Sequence, residues 1–389
     1  MEKIIVVGAG ISGATTARLF AESGFDVIVI DRRDTIAGNV YDYVDKNNVL
    51  VQAYGTHIFH TNDKMVFDFL SKFTKWKKYE HKALAQVRKD KLVPVPFNLN
   101  SVDKLYPKDK ADRIKQVLID EIGMDNTANI LSLIKHKNHE IRAFADFVYK
   151  HIYYIYTLKQ WGFKPELLGE KFINRLPVKV SYDDRYYQDQ YQYMPDEGFT
   201  QMVANILRHP RIKLKLKTRA SEELAYHEGN IYFGNQLFDG KVIYTGSIDE
   251  LFNYKHGKLP FRSIKSKLEL IKSPSYQESA VVNYTVSAKY TKITEFTKFT
   301  CEPQENTVIV KEFAKPYKKG KNQPYYPIPL AKALKIYDKY VKECENYKNL
   351  HVLGRLAEYK HMNMDKAIRH AFDLYEQIVG YPFDINDIN

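Results

Sequence analysis

Three glycines, Gly8, Gly10 and Gly13, stand between an apolar tetrad, Ile4-Ile5-Val6-Val7, and a helix-forming stretch. The G-x-G-x-x-G spacing suits a pyrophosphate, because missing side chains let its oxygens approach the backbone amides at a helix N-terminus. Asp31 closes the next apolar segment about 20 residues on, where a carboxylate can accept both hydroxyls of an adenosine ribose. Ser12, between the glycines, is assigned to the same contact set. The glycine pattern alone would equally describe a tight turn followed by a solvated acid. In strand-turn-helix context, with Asp31 in place, it predicts a dinucleotide site.

FAD and NAD share this fingerprint, so the choice between them depends on the residues after Asp31. Asp31-Arg32-Arg33 runs into Ala37-Gly38-Asn39, which resembles the acid-then-Gly-Gly extension of FAD enzymes related to the amine oxidases, with Ala37 at the first glycine. FAD is therefore the expected cofactor, with Arg32, Gly38 and Asn39 among its contacts. Tyr54-Gly55-Thr56-His57-Ile58-Phe59-His60-Thr61-Asn62-Asp63 resembles the flavin-contacting segment of the UDP-galactopyranose mutases, which carry Ala where this chain has Thr56. Thr157-Leu158-Lys159-Gln160-Trp161-Gly162, Arg175-Leu176-Pro177-Val178, Pro324-Tyr325-Tyr326-Pro327 and Gly354-Arg355-Leu356-Ala357-Glu358-Tyr359 also resemble motifs of that family, in its order. The resemblance spans nearly the whole chain.

By residue type alone, His57 and His60 are an i, i+3 pair with no third ligand, so no metal site is expected. Tyr156 and Trp161 alone read as core aromatics. The resemblance implies other roles: His57 and Ile58 at the flavin, His60 near its reacting edge, and Arg355 and Met364 as further cofactor contacts. It implies that Tyr156 stacks the nucleobase and that Trp161 lines the sugar pocket, with Thr157 and Asn283 as further substrate contacts. Arg175, Tyr186 and Tyr326 match positions that meet the diphosphate. A leaving diphosphate gains negative charge as the glycosidic bond breaks, so it calls for fixed positive charge and directed donors. Lys292 stands where a second diphosphate arginine is usual, keeping the charge without the bidentate fork. Together, His60, Arg175 and Lys292 are the expected catalytic residues. His361 and Asn363 stand where Tyr and Asp are usual, and His81 where Asn is common. Asn363 has a competing role as a helix cap.

What the resemblance implies as a whole is an isomerase in which reduced FAD, through its N5, attacks the anomeric carbon and expels the nucleoside diphosphate. The sugar ring then opens and recloses through a different hydroxyl. The implied partners are a nucleotide sugar, an external reductant and a second copy in a homodimer, with cell-surface polysaccharide biosynthesis as the setting. UDP-galactopyranose is the leading substrate; dTDP- or GDP-linked fucose is the alternative. Two rival readings are an FAD oxidoreductase of the amine-oxidase type, which consumes an oxidant in every turnover, and a non-catalytic flavin or nucleotide-sugar binding protein.

The elements that must position these residues are read from composition and periodicity. A chain of 389 residues, 44% hydrophobic, can build two or three packed lobes. No apolar run is long enough for a membrane span and the first strand begins too early for a signal peptide, so a cytoplasmic protein is expected. The net charge of +12 is spread over many lysines; it suits an anionic small substrate, and no nucleic-acid module accompanies it. Two cysteines, Cys301 and Cys344, form no disulfide framework. Residues 3–31 read as strand, turn, helix, strand. Residues 103–171 are mostly helical, with Ile114, Val117, Leu118 and Ile122 at helical spacing and a second amphipathic stretch over 141–156. Segments 264–271, 280–286 and 307–313 carry strand-like content, and 315–329 reads as a loop. Residues 350–353 are extended before a Gly354-Arg355 turn and a helix bearing Met364, Ile368, Ala371, Phe372, Tyr375 and Val379. The expected fold is α/β: a discontinuous Rossmann-like FAD-binding domain (1–80, 195–245 and 315–389), an inserted helical lobe (100–172) and an antiparallel β-sheet domain (81–99, 173–194 and 246–314).

Overall fold

Strand Lys3–Val7 is apolar on both faces because two cores claim it. Ile4 and Val6 enter one core with the helices Ile11–Glu22, Phe199–Leu207 and Met364–Val379, whereas Ile5 and Val7 enter another with helix Ala331–Cys344. Burial on both sides is what makes parallel strands read as continuous apolar runs. In the computed structural model, which describes residues 3–173, 176–300 and 305–388, this strand is central in a five-stranded parallel sheet. The order is Ile212–Lys215, Asp26–Ile30, Lys3–Val7, Lys241–Tyr244 and Leu350–Val352, so the unit draws on distant parts of the chain. The strand-turn-helix unit expected over 3–31 and the strand and helix expected near the C-terminus are all present.

A second sheet of seven strands runs Tyr326–Pro327, Phe261–Ile271, Thr307–Pro316, Lys292–Glu295, Val281–Tyr284, Ala83–Arg88 and Lys91–Val95. It departs from the wholly antiparallel expectation at one pair, since Val281–Tyr284 runs parallel to Ala83–Arg88. Those two strands are far apart in sequence and no hairpin joins them, so no turn dictates their relative direction. The expected loop over 315–329 also contains the short strand Tyr326–Pro327, which pairs at the sheet edge, where proline does not interrupt the ladder. Register places Asn283 opposite Lys292, Lys292 opposite Glu312, and Glu312 opposite Ser266. Directly paired residues share a face, so these four polar residues form one row across the sheet.

The helical lobe packs Leu99–Leu105, Lys108–Ile122 and His139–Val148 around Ile114, Leu118, Phe144 and Val148. The stretch expected as one helix over 141–156 continues from Val148 through a π-helical turn, Tyr149–Tyr154, into Ile155–Trp161. A small antiparallel sheet, Phe59–Thr61, Tyr191–Pro195 and Trp76–Lys78, carries His60 toward the interior. Among the described residues, no helix is long and apolar enough to cross a membrane.

Candidate active site

A cleft of about 1200 Å³ lies at the C-terminal ends of the parallel strands, where Val7, Ile30 and Tyr244 open onto it. That is the edge at which open parallel sheets take ligands. Gly8, Gly10, Ser12, Asp31, Arg32, Gly38 and Asn39 line one part, and His57, Arg355 and Met364 another. Gly13 and Ile58 sit differently. A Cβ on Gly13 would fall 1.9 Å from the Gly8 carbonyl oxygen, so Gly13 allows the helix to close on the turn; Ile58 is buried in the core. Gly38, at φ 56°, brings its backbone against Gly10, where a Cβ would meet Gly10 Cα at 2.9 Å.

Asp31 clamps the same turn, accepting from the backbone N–H of Ala9 through Oδ2 and of Arg33 through Oδ1, each at 2.8 Å. A carboxylate oxygen accepts more than one donor, so both stay available to ribose hydroxyls. Arg32, expected in the cofactor set, directs its exposed guanidinium to Glu250 at 3.0 and 3.1 Å. Its neighbour Arg33 turns inward instead: Nη2 donates to Asn39 Oδ1 at 3.0 Å, the group lies 5.0 Å from the Tyr54 ring centre, and Nη1 is buried with no partner. A half-buried cation with an uncommitted donor, beside backbone that resists an added Cβ at Gly8 and Gly38, fits the pyrophosphate of a dinucleotide such as FAD.

His57 links this cleft to the second sheet. Burial, reinforced by the positive charges of Arg355 and Lys292, pushes its pKa down to about 3. The neutral ring therefore donates from Nδ1 to the Gly55 carbonyl at 3.1 Å and accepts at Nε2 from the Tyr325 hydroxyl at 3.2 Å. Arg355 is pinned by the Met362 carbonyl, at 3.1 Å from Nε and 2.6 Å from Nη2, and lies over the rings of Tyr325 and Tyr326. Asn363 occupies the N-cap position of helix Met364–Val379 but makes no side-chain cap; it lines the cleft.

Beyond His57 the remaining candidates gather around the polar row. Lys292 Nζ lies 3.3 Å from Glu312 Oε1. Burial works to lower the Lys292 pKa, but Glu312 and the phenols of Tyr326 and Tyr186 outweigh it and the ammonium is held charged. His81 is buried and driven down to about 3 by that burial and then by the charges of Lys292 and His60, so it is neutral. Its carbonyl accepts from the Tyr186 N–H at 2.6 Å, and its ring lies 5.6 Å from that of Tyr186. His60 is buried, stacks on Tyr187 at 3.5 Å between ring centres, and meets Asp189 Oδ2 through Nδ1 at 2.6 Å.

Asn283 donates to the Leu84 carbonyl at 3.3 Å. Tyr156 is half-buried, and burial, then Tyr326, Glu312 and Tyr186, raise its phenol well above the ordinary value, so it remains a donor. Thr157 and Trp161 are buried on the same short helix; Trp161 packs 5.2 Å from Tyr326, which stacks on His361 at 5.2 Å. Arg175 lies outside the described residues.

Arg33, Asp189, Tyr187, Thr294 and Glu312 belong to this geometry and sequence reading missed them. Only the adjacent Asp31 could have marked Arg33; Thr294 and Glu312 are brought in by pairing register, and Tyr187 and Asp189 by the loop before Tyr191–Pro195, neither of which leaves a local signature. Among the described residues no group of three or more His, Cys, Asp or Glu has metal-binding geometry. Fixed positive charge at Lys292, the neutral imidazoles of His57 and His81 and the protonated phenol of Tyr156 make a set that binds and orients an anionic, hydroxyl-rich ligand.

A family model described as an NAD(P)-binding Rossmann-like domain matches residues 6–73, and the UDP-galactopyranose mutase model matches residues 151–361. The dTDP-fucopyranose mutase of Escherichia coli is 32% identical over 380 residues, covering 96% of this chain and 97% of the relative. A probable UDP-galactopyranose mutase of Klebsiella pneumoniae is 32% identical over 383 residues, 97% of this chain and 95% of the relative. Among solved structures, that of a reduced UDP-galactopyranose mutase superposes with a TM-score of 0.76 at 16% identity, over 100% of this chain and 96% of that one, and shows the shared fold. With near-complete coverage by both relatives and a matching fold, this chain belongs to the UDP-galactopyranose mutase family.

Proposed function

We propose that this protein interconverts the pyranose and furanose forms of a nucleotide-linked sugar with the help of bound FAD, and that UDP-galactopyranose is its leading substrate. The observation that carries this is the junction at His57, where a dinucleotide cleft closed by glycines and Arg33 meets a cluster of Lys292, Tyr156, Tyr186 and Tyr326. Reduced flavin would supply an electron-rich N5 as nucleophile toward the anomeric carbon. Gly8, Gly10, Ser12, Gly13, Asp31, Arg32, Gly38 and Asn39 would hold its dinucleotide, with His57, Ile58, Arg355 and Met364 toward the ring.

The remaining work falls to the chain's own side chains. Lys292 places a permanent charge where negative charge grows on the leaving diphosphate, and the phenols of Tyr186 and Tyr326 aim donors at the same oxygens. Arg175 is assigned the second cation by resemblance. His60, whose ring is fixed through Nδ1 by Asp189, is assigned a place near the reacting edge of the flavin by resemblance. Tyr156 and Trp161 orient base and sugar, and Thr157, Asn283, His81 and His361 complete the pocket; no group need attack the substrate itself. By the same resemblance we assign the FAD-binding, helical and sheet domains the boundaries expected from the sequence, and place the protein in the cytoplasm as a homodimer, served by an external reductant, on a route to cell-surface polysaccharide.

A second reading, the same chemistry on dTDP- or GDP-linked fucose, is favoured by two facts. By the resemblance Lys292, His361 and Asn363 stand where other residues are usual, and a dTDP-fucopyranose mutase is as similar to this chain as a probable UDP-galactopyranose mutase. The test is a panel of nucleotide pyranoses offered to the dithionite-reduced protein, with furanose products separated and quantified. Turnover without net reductant consumption is expected, and Arg175→Ala should abolish it while FAD stays bound. Equal turnover by oxidised protein would overturn the reading; an oxidant consumed in each turnover would favour the oxidase. A preference above about tenfold in kcat/KM, about 1.4 kcal/mol of transition-state binding, decides the sugar.

A further inference from the structure

The polar row holds two buried atoms that nothing in the fold satisfies. Glu312 is 2% exposed. Its Oε1 faces Lys292 Nζ at 3.3 Å and accepts from the Thr56 hydroxyl at 3.3 Å. Since Thr56 directs its one proton to the carboxylate, the Thr294 hydroxyl, 2.6 Å away, must donate to Thr56 in turn. Glu312 Oε2 is buried with no partner, and so is Oγ of Ser266, the residue opposite Glu312 in register. A buried polar atom left without a partner costs about 1–3 kcal/mol, more when charged. Such atoms are rare in folded chains, and two adjoining ones on the face that bears Lys292 point to a ligand that completes them.

The chemistry narrows that ligand. Oε2 accepts only, so its partner must bring an O–H or N–H; a diphosphate oxygen would be repelled. Glu312 lies close enough to Tyr156 and Tyr325 to act on both electrostatically, which sets it at the junction of the two sheets. In a nucleotide sugar the groups that fit are the sugar hydroxyls, with a base N–H as the other source of the same donor. We propose that Glu312 is a specificity-determining residue of this site: its Oε1 is fixed by Lys292 and Thr56, and its Oε2 accepts a hydroxyl of the bound sugar beside Ser266. Thr56, at a position where the family carries Ala, supplies one of the two tethers. The proposal rests on the mutase reading of the site.

The test compares UDP with UDP-galactopyranose and its singly deoxygenated analogues, titrated calorimetrically into the FAD-loaded protein, and also measures turnover. In Glu312→Gln the donors around Oε1 select the amide oxygen, which turns the NH2 to the Oε2 position and replaces an acceptor by a donor. Affinity for UDP should stay within about threefold, whereas affinity for UDP-galactopyranose should fall tenfold or more. One deoxy analogue should lose affinity for the wild type but not for Glu312→Gln, which identifies the hydroxyl. Glu312→Asp keeps the charge beside Lys292 and shortens the reach; it should give the same split, and it carries the test if Glu312→Gln does not retain flavin. A parallel loss for UDP and UDP-galactopyranose, or a full deoxy penalty for every analogue in both variants, overturns the proposal. Failure of the wild type to convert UDP-galactopyranose, dTDP-fucopyranose or GDP-fucose overturns the mutase reading instead. If the wild type prefers a fucose donor, the same cycle is run with that donor against its free diphosphate.

Discussion

The two halves of the site are made of different material. The dinucleotide cleft is built from backbone: Gly8, Gly10 and Gly38 bring main chain within reach of a ligand, Gly13 lets the first helix close on the turn, and Asp31 braces the turn through two amides. The face across from it is built from side chains, Lys292, Glu312, Tyr326 and His361, held by sheet register and by each other. A backbone surface tolerates little replacement, since adding one methyl moves main chain. A side-chain surface can be retuned one residue at a time; Lys292 and His361 lie on that face, whereas Ala37 and Asn363 line the cleft.

The sharpest way to break the contrast is Gly13→Ala. Its Cβ would overlap the Gly8 carbonyl oxygen at 1.9 Å, and neither backbone can yield without opening the first helix. Little or no flavin-loaded protein is expected, as read by flavin absorbance per mole of chain. Wild-type flavin content would show that the cleft is more pliant than its geometry.

A smaller effect tests the opposite face through acid. His57 and His81 are both held near pKa 3 by burial, against 6.5 for the free side chain. The unfolded chain takes up these protons first, so the stabilisation is complete above about pH 6.5 and is lost as pH falls toward 3. By pH 5 each imidazole should account for about 2 kcal/mol of lost stability. His81→Asn should remove one share, flattening the fall of melting temperature between pH 6.5 and 4. An unchanged slope would mean that His81 is solvated.

The smallest effect returns to the cleft. Ala37 is fully buried at φ 69°, in the left-handed region, where L side chains are strained by about 1–2 kcal/mol. Ala37→Gly relieves that strain but gives the unfolded chain more freedom, so a net gain of at most about 1 kcal/mol is expected in thermal or urea unfolding. A loss would mean that the methyl packs better than the strain costs.

What could be read from sequence divides along the same line. The turn at Gly8 to Gly13, the strand ending before Asp31 and the helix from Met364 were legible because each is a local pattern with one structural solution. Even Ala37, which obscures the usual glycine pair, keeps the glycine's conformation because its neighbours impose it. Glu312 was not legible, since it meets Lys292 and Thr56 only when three distant segments are placed in register. The parallel pairing of Val281–Tyr284 with Ala83–Arg88 was hidden for the same reason. Arg32 and Arg33 both line the cleft, but only Arg33 leaves a buried guanidinium nitrogen without a partner, and adjacency in the sequence does not tell which of the two does so.

The π-helical turn at Tyr149–Tyr154 acts as a phase shifter. The buried stripe Ile141, Phe144, Ala145 and Val148 reaches Ile152, and on an unbroken α-helix it would continue at Ile155 and Lys159. With the wider turn between, the buried positions fall instead at Thr157, Gln160 and Trp161, and Leu158 faces solvent. One residue of phase is a rotation of about 100°. Regular winding over the same residues would swing Tyr156 and Trp161 off their bearing, with every side chain of the pocket still present; deleting one residue along with that winding would bring them back to it. In this segment the winding of the backbone is itself a specificity element, and an alignment that scores only residue identity would pass over it.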